Sequence, residues 1–173
     1  MPGTEPSGRL QVPRALIEAR GLQAHPEAAA LEVCERGSDG RQHRLVPEAA
    51  GAWRGLVRAA AATDVSIHVV SAFRSVERQT VLVERKLAAG WALEDILRVL
   101  APPGYSEHHT GRAVDVGTPG CPPAEIAFEH TAAFRWLNAH ADAFGFRLSY
   151  PRGNASGYQY EPWHWCYAPR ARG

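Results

Sequence analysis

Tyr105-Ser106-Glu107-His108-His109-Thr110-Gly111-Arg112-Ala113-Val114-Asp115-Val116-Gly117 is the stretch on which the fold turns. Residues 112–117 read as a strand, because side chains on an extended segment alternate between two faces. Val114 and Val116 take the core face. Ala113, Asp115 and Gly117 share the other face. An acidic residue between two small neighbours leaves space for something cationic against its carboxylate. Two turn signals, Pro102-Pro103-Gly104 and Thr110-Gly111, bracket the polar stretch that feeds this strand. His108 stands in that feeding loop. A loop imidazole and a strand carboxylate can converge on one metal ion, although a surface Asp beside a loop His would read the same way in isolation.

Working outward, strands and helices mix. Residues 12–21 read as a short helix. Residues 31–35 and 43–46 read as two short strands around the turn-rich Gly37-Ser38-Asp39-Gly40. Pro47 suits a first helical position, and Trp53, Leu56, Val57, Ala60 and Ala61 then recur at helical spacing. Residues 66–73 are rich in Val and Ile and read as a strand, with Arg74 and Ser75 at its end. Residues 76–89 read as a helix stopped by Gly90, and residues 93–100 as another stopped by Pro102-Pro103. Thr131 can cap a helix running through Phe144, with Gly145 as its stop. Residues 146–150 and 164–167 read as the last strands. The pattern predicts an α+β domain: a small antiparallel sheet flanked by helices.

Composition narrows the function. The chain has 173 residues, 19 basic against 18 acidic side chains, and 45% hydrophobic residues. That is enough for one real core. A net charge of +1 argues against a nucleic-acid or membrane-surface partner. No run approaches the roughly 20 apolar residues of a membrane span, and residues 1–8 do not read as a targeting segment. The expected compartment is therefore cytoplasmic, or periplasmic if an export signal has been trimmed away. Cys34, Cys121 and Cys166 are far apart and form no CxxC pair.

Tyr160-Glu161-Pro162-Trp163-His164-Trp165-Cys166-Tyr167 adds a second set of polar groups. Pro162 keeps Glu161 out of a regular central strand, and a turn there lets Glu161 and His164 point the same way. Catalytic zinc sites use three protein ligands and keep one position open. Two His and one carboxylate meet that need, and a further Glu can then handle the proton of the metal's water.

The pattern Ser-x-His-x-x-Gly-x-Ala-x-Asp (Ser106 to Asp115) followed by Glu-x-x-His (Glu161 to His164) resembles the zinc peptidases of the LAS group. Within that group it is most similar to the VanY-type D-alanyl-D-alanine carboxypeptidases. Tyr150-Pro151-Arg152-Gly153-Asn154, Gly157-Tyr158 leading into Glu161, and Ser71-Ala72-Phe73-Arg74-Ser75 with Gln79 beyond fit the same subfamily. Ser149 departs from it, standing where members often carry an Arg. The resemblance spans about residues 64–168. It implies a LAS/Hedgehog-like fold, with residues 46–173 as the catalytic domain. Residues 1–45 would be an extension packed on or adjoining it, the whole forming one domain. It implies one zinc ion held by His108, Asp115 and His164. Glu161 would be the general base and later the acid. Arg74 would steady the oxyanion and bind substrate, with Ser106 and Gln79 helping to hold the peptide end. The implied substrate is a peptidoglycan stem peptide losing its terminal D-alanine, and the implied state is a monomer. An L,D-carboxypeptidase, an L-Ala-D-Glu endopeptidase and a zinc-bearing module without catalysis are the alternatives.

The remaining residues take structural readings. His109 should diverge from its neighbour His108. His68 reads as an edge or hydrogen-bonded strand residue. His25, His43, His130 and His140 read as loop or helix-surface residues. Cys166 shares a strand face with His164 and reads as a buried small side chain. Trp163 and Trp165 are expected partly in the pocket wall and partly in the core, and Tyr105 and Tyr158 either line the cleft or belong to core or surface. No G-x-S-x-G elbow surrounds Ser71 or Ser75, so neither reads as a nucleophile.

Overall fold

A computed structural model of the chain describes residue 10 and residues 12–169. Residues 1–9 and 11 of the N-terminal extension, and residues 170–173 of the expected catalytic domain, lie outside the described residues. Helix α1 covers Arg14–Ala19, and the hairpin strands β1 and β2 cover Glu32–Arg36 and Gln42–Leu45. Helix α2 follows at Pro47–Ala61, strand β3 at His68–Ser71, and helices α3 and α4 at Val76–Ala88 and Leu93–Val99. Strand β4 is Ala113–Gly117, helix α5 is Ala132–His140, and strands β5 and β6 are Phe146–Leu148 and His164–Tyr167. Strands β3, β4, β6 and β5 lie side by side in that order, every pairing antiparallel. No helix among the described residues is long and apolar enough to cross a membrane.

Local chemistry explains these elements. Pro47 opens α2, where a missing N–H costs nothing, and Ala49, Ala50, Trp53, Leu56 and Ala60 bury one face of that helix. Ser75 caps α3 by accepting from the Arg78 N–H, and Thr131 caps α5 by accepting from the Phe134 N–H. Trp53 stands edge-on to Phe146 at 5.9 Å, joining α2 to the sheet. The hairpin is tied to the same core. Cys34 and Leu45 are buried with Trp53, and Glu35 accepts from both the Trp53 indole and the Val69 N–H.

Several expected elements are shorter than the sequence suggests, α1 at Arg14–Ala19 among them. Strand β3 stops at Ser71 because the next backbone groups leave the sheet. The Phe73 N–H bonds the Arg44 carbonyl, the Ala72 carbonyl takes His108, and the Arg74 N–H bonds the His108 carbonyl. Strand β5 ends at Leu148, and the chain turns away before Tyr150. The helix expected through Phe144 ends at His140 and tightens into a 3₁₀ turn over Ala141–Phe144. That turn brings Phe144 onto Trp136, 6.3 Å away.

The polar loop before β4 also holds a 3₁₀ turn, Glu107–Thr110, closed by Gly111 at φ +64°. A Cβ there would lie 2.8 Å from Leu31 Cδ2, whereas Gly40, at φ +80°, faces open space. Gly111→Ala is therefore expected to destabilise the protein by about 1–3 kcal/mol in a denaturant titration, through backbone strain plus the clash. Gly40→Ala should lose only the strain.

Candidate active site

The register of the central strands builds the site. Asp115 on β4 lies directly opposite His164 on β6, so their side chains project from one face as a cross-strand pair. The loop before β4 delivers His108 to the same point. Glu161 arrives through a turn in which the His164 N–H bonds the Glu161 carbonyl. His108 Nε2 lies 3.2 Å from Asp115 Oδ2, and His164 Nδ1 lies 3.0 Å from Asp115 Oδ1. Glu161 Oε2 stands 3.8 Å from His164 Nδ1. One donor atom from each of His108, Asp115 and His164 falls within 4.8 Å of the others.

Hydrogen bonds decide which imidazole atom faces inward. His108 Nδ1 lies 2.7 Å from the Ala72 carbonyl oxygen, which can only accept. Nδ1 therefore carries the proton, and the Nε2 lone pair points at Asp115. Two buried imidazoles and one carboxylate, gathered on one point, fit zinc by donor type and number. A cavity of about 280 Å³ opens onto this face, with Arg74, Ser106, Tyr150, Tyr158, Glu161 and Trp163 in its wall.

Electrostatics separate the roles of the acids. Burial raises the Glu161 pKa to about 7, and Asp115 and Glu107 push the same way. Burial alone would also raise Asp115, but neighbouring His108 and His164 hold it far below the usual carboxylate range. Glu107 is brought down to about 2 against its burial, by hydrogen bonds from His164 and Ser149. Burial would lower His164, yet its bonds to Asp115 and Glu107 lift it to about 10, while burial keeps His108 below its ordinary value.

Raised above 6.5, His164 stabilises the metal-free fold fully below that pH and loses the contribution as pH rises through about 10. A metal ion held by His108, Asp115 and His164 would compete with the proton that His164 carries toward Asp115. Zinc uptake near pH 7 is therefore expected to release about one proton from this site, with apparent affinity rising with pH. Calorimetry in buffers of different ionisation enthalpy reads the proton count.

Arg74 reaches the site from just beyond β3. Its Nη2 lies 3.6 Å from Asp115 Oδ2 and 3.0 Å from Ser71 Oγ, and Nη1 donates to Gln79 Oε1 at 2.9 Å. Gln79 is fully buried and also donates to the Ala101 carbonyl, so both ends of its amide are engaged in holding Arg74 and the cavity wall. Ser106 Oγ accepts from the His108 N–H, and its own O–H can donate into the cavity.

The residues given structural readings are placed as follows. His109 is buried, receives the Gly104 N–H at Nε2 and bonds the Arg74 carbonyl through Nδ1, which ties the metal loop to the arginine backbone. His68 is an exposed β3 residue, and Trp165 lies in the core. His43 corrects the expectation of a surface position: it lies on β2 and is buried. Cys166 is partly rather than fully buried; desolvation and Glu107 push its thiol pKa up, and it is not among the donor atoms grouped with Asp115.

Three residues in the site carried no role in the sequence reading. Tyr150 lays its ring against His164, centroids 4.7 Å apart. Arg20, from the segment after α1, stacks on Tyr158 at 4.4 Å and donates to the Leu97 and Ser156 carbonyls, bracing the cavity wall. Glu107 accepts from both His164 and Ser149. Only its place between Ser106 and His108 could have drawn attention to it.

Residues 42–170 match the VanY family, described as D-alanyl-D-alanine carboxypeptidase. The chain belongs to that family. The match takes in every site residue described above except Arg20. Among VanY-like relatives, the putative carboxypeptidase YodJ of Bacillus subtilis is 34% identical over 123 residues, 69% of this chain. The chain spans less than half of that relative, 45% of its length. The solved structure of the LdcB LD-carboxypeptidase superposes with a TM-score of 0.74 at 28% identity, covering 83% of this chain and 70% of that one. A mutant of the vancomycin-resistance D,D-pentapeptidase VanY in complex with Zn(II) superposes at 0.62 with 29% identity, covering 83% of both chains. The VanY-family fold, with its small antiparallel sheet and flanking helices, is thus the fold of this chain.

Proposed function

We propose that this VanY-family chain is a zinc carboxypeptidase that hydrolyses the terminal D-alanine from peptidoglycan stem peptides. The observation that carries the reading is the grouping of His108, Asp115 and His164 beside a fourth residue, the separate acid Glu161, all facing one open cavity with Arg74. A purely structural metal site has no need of that extra carboxylate or of the opening.

Zinc, when bound there, supplies a Lewis acid that polarises the scissile carbonyl and acidifies a water. Glu161 takes the proton of the attacking water on its carboxylate and returns it to the leaving amine nitrogen as the C–N bond breaks. Burial raises its pKa to about 7 without a metal, which offsets the lowering that a nearby cation would bring and keeps the carboxylate within reach of a proton. Arg74 is held as a fixed fork by Gln79 and Ser71, pre-aimed at the place where negative charge develops on the carbonyl oxygen. In this reading the Ser106 hydroxyl binds the peptide end, and Trp163 and Tyr158 form part of the cavity wall beside it.

The family's description as D-alanyl-D-alanine carboxypeptidase and the likeness to VanYB in complex with D-alanine-D-alanine support a terminal D-alanine as the leaving group. The reading is tested with a pentapeptide stem ending in D-Ala-D-Ala. Dialysis against a chelator should abolish D-alanine release, and one equivalent of zinc should restore it. Release that survives complete metal removal would refute the zinc reading.

A further inference from the structure

We propose that Glu107 is the positioning carboxylate of the metal centre: it holds His164 with Nε2–H turned away from the ion, so that Nδ1 is the ligating atom. The inference rests on the zinc reading above and concerns a residue that lies between two motif positions.

The geometry is two-sided. His164 Nδ1 faces Asp115 Oδ1 at 3.0 Å, while Nε2, across the ring, lies 2.9 Å from Glu107 Oε2. The same Oε2 receives the Ser149 hydroxyl at 2.6 Å. Glu107 is thereby engaged by two donors on the far side of the imidazole, which removes it from the donor set facing the cavity. Half a turn of the ring would place Cδ2 toward Asp115 and Cε1 toward Glu107, losing both contacts. Tyr150 packs along the ring at an interplanar angle of 32° and leaves it little room for intermediate tilts. His108 is fixed by a different device, its Nδ1–H on the Ala72 carbonyl. The two imidazoles therefore use opposite ring atoms, Nε2 of His108 and Nδ1 of His164, each locked by a partner for its remaining N–H. Such outer partners orient a ligand and raise its basicity, and losing one typically weakens metal binding about 10–100-fold.

Glu107 itself is placed by the loop that places His108. It is the first residue of the 3₁₀ turn whose preceding Ser106 accepts the His108 N–H. One short turn thus supplies a ligand and the partner of another ligand, and Ser149, at the end of the β5 segment, completes the anchor.

Zinc affinity by competition with a chromophoric chelator tests this without any turnover. Glu107→Ala should bind zinc about 10–100-fold more weakly than the parent. Glu107→Gln keeps an acceptor in the same place and should recover part of the loss. Long-range ¹H–¹⁵N spectra of the zinc-loaded parent should show His164 protonated at Nε2 and metal-bound at Nδ1, and Glu107→Ala should show that signature lost or mixed. A Glu107→Ala protein with parental zinc affinity would overturn the proposal, as would a parent whose His164 binds through Nε2. If Glu107→Ala does not fold, Glu107→Gln and the parent spectrum still decide. A parent that takes up no zinc would instead sink the reading on which this one rests.

Discussion

Glu161→Gln is expected to bind zinc within a few-fold of the parent and to lower kcat by about 10²–10⁴-fold, the range of a positioned general acid–base. The two effects separate because Glu161 stands outside the donor triad. Its nearest carboxylate oxygen is 3.8 Å from His164 Nδ1, whereas Asp115 and His164 approach to 3.0 Å. Gln preserves the shape and removes the proton acceptor. The substitution also acts on the pH profile. Burial puts the Glu161 pKa at about 7 in the metal-free site, and a cation at the triad draws it lower. The base form is then present at neutral pH, and the parental rate should fall as pH drops below neutral toward that lowered pKa. The variant should lack this limb. Steady-state kinetics and a zinc titration on the same preparation check both halves. Parental turnover by Glu161→Gln would remove the proton-transfer assignment altogether.

Arg74→Ala is expected to reduce kcat/KM by about 10²–10³-fold, the usual cost of one donor to a developing oxyanion. The guanidinium is held on two sides, by Gln79 Oε1 at 2.9 Å and Ser71 Oγ at 3.0 Å, and it lies 3.6 Å from Asp115. A group so fixed needs little reorganisation when charge appears on the carbonyl oxygen. Arg74→Lys should rescue poorly, because a single ammonium cannot satisfy Gln79, Ser71 and the substrate together. Gln79→Ala should reproduce a milder form of the same defect, since its amide is spent on Arg74 and on the Ala101 carbonyl. Unchanged kcat/KM for Arg74→Ala would show that the oxyanion is stabilised elsewhere.

The parts legible in the sequence are those governed by local rules. Alternation along residues 113–117 gave β4 and its core face, Pro47 gave the start of α2, and Ser75 and Thr131 marked helix caps through their short polar side chains. Two spaced motifs contained His108, Asp115, Glu161 and His164, which the structure gathers at the cavity. What escaped depends on neighbours distant in the chain. The end of β3 is set by His108 and Arg44 drawing off its backbone groups. His43 is buried because β2 turns it inward, a matter of register that the short strand does not announce. Glu107 drew no reading, since its partners His164 and Ser149 arrive from more than 40 residues away. Arg20 lies before any recognisable motif and acts through carbonyls, which leave no mark in a sequence.

The decisive measurement is the release of free D-alanine, followed by mass spectrometry, from matched stem pentapeptides and tetrapeptides incubated with the zinc-loaded protein. The expected result is release from the pentapeptide ending in D-Ala-D-Ala, sensitive to both chelation and Glu161→Gln. Release from the tetrapeptide alone would reassign the chain to L,D-cleavage with the same zinc chemistry. Release from neither, with one zinc bound per chain, would contradict the enzymatic reading and leave a metal-bearing binding module.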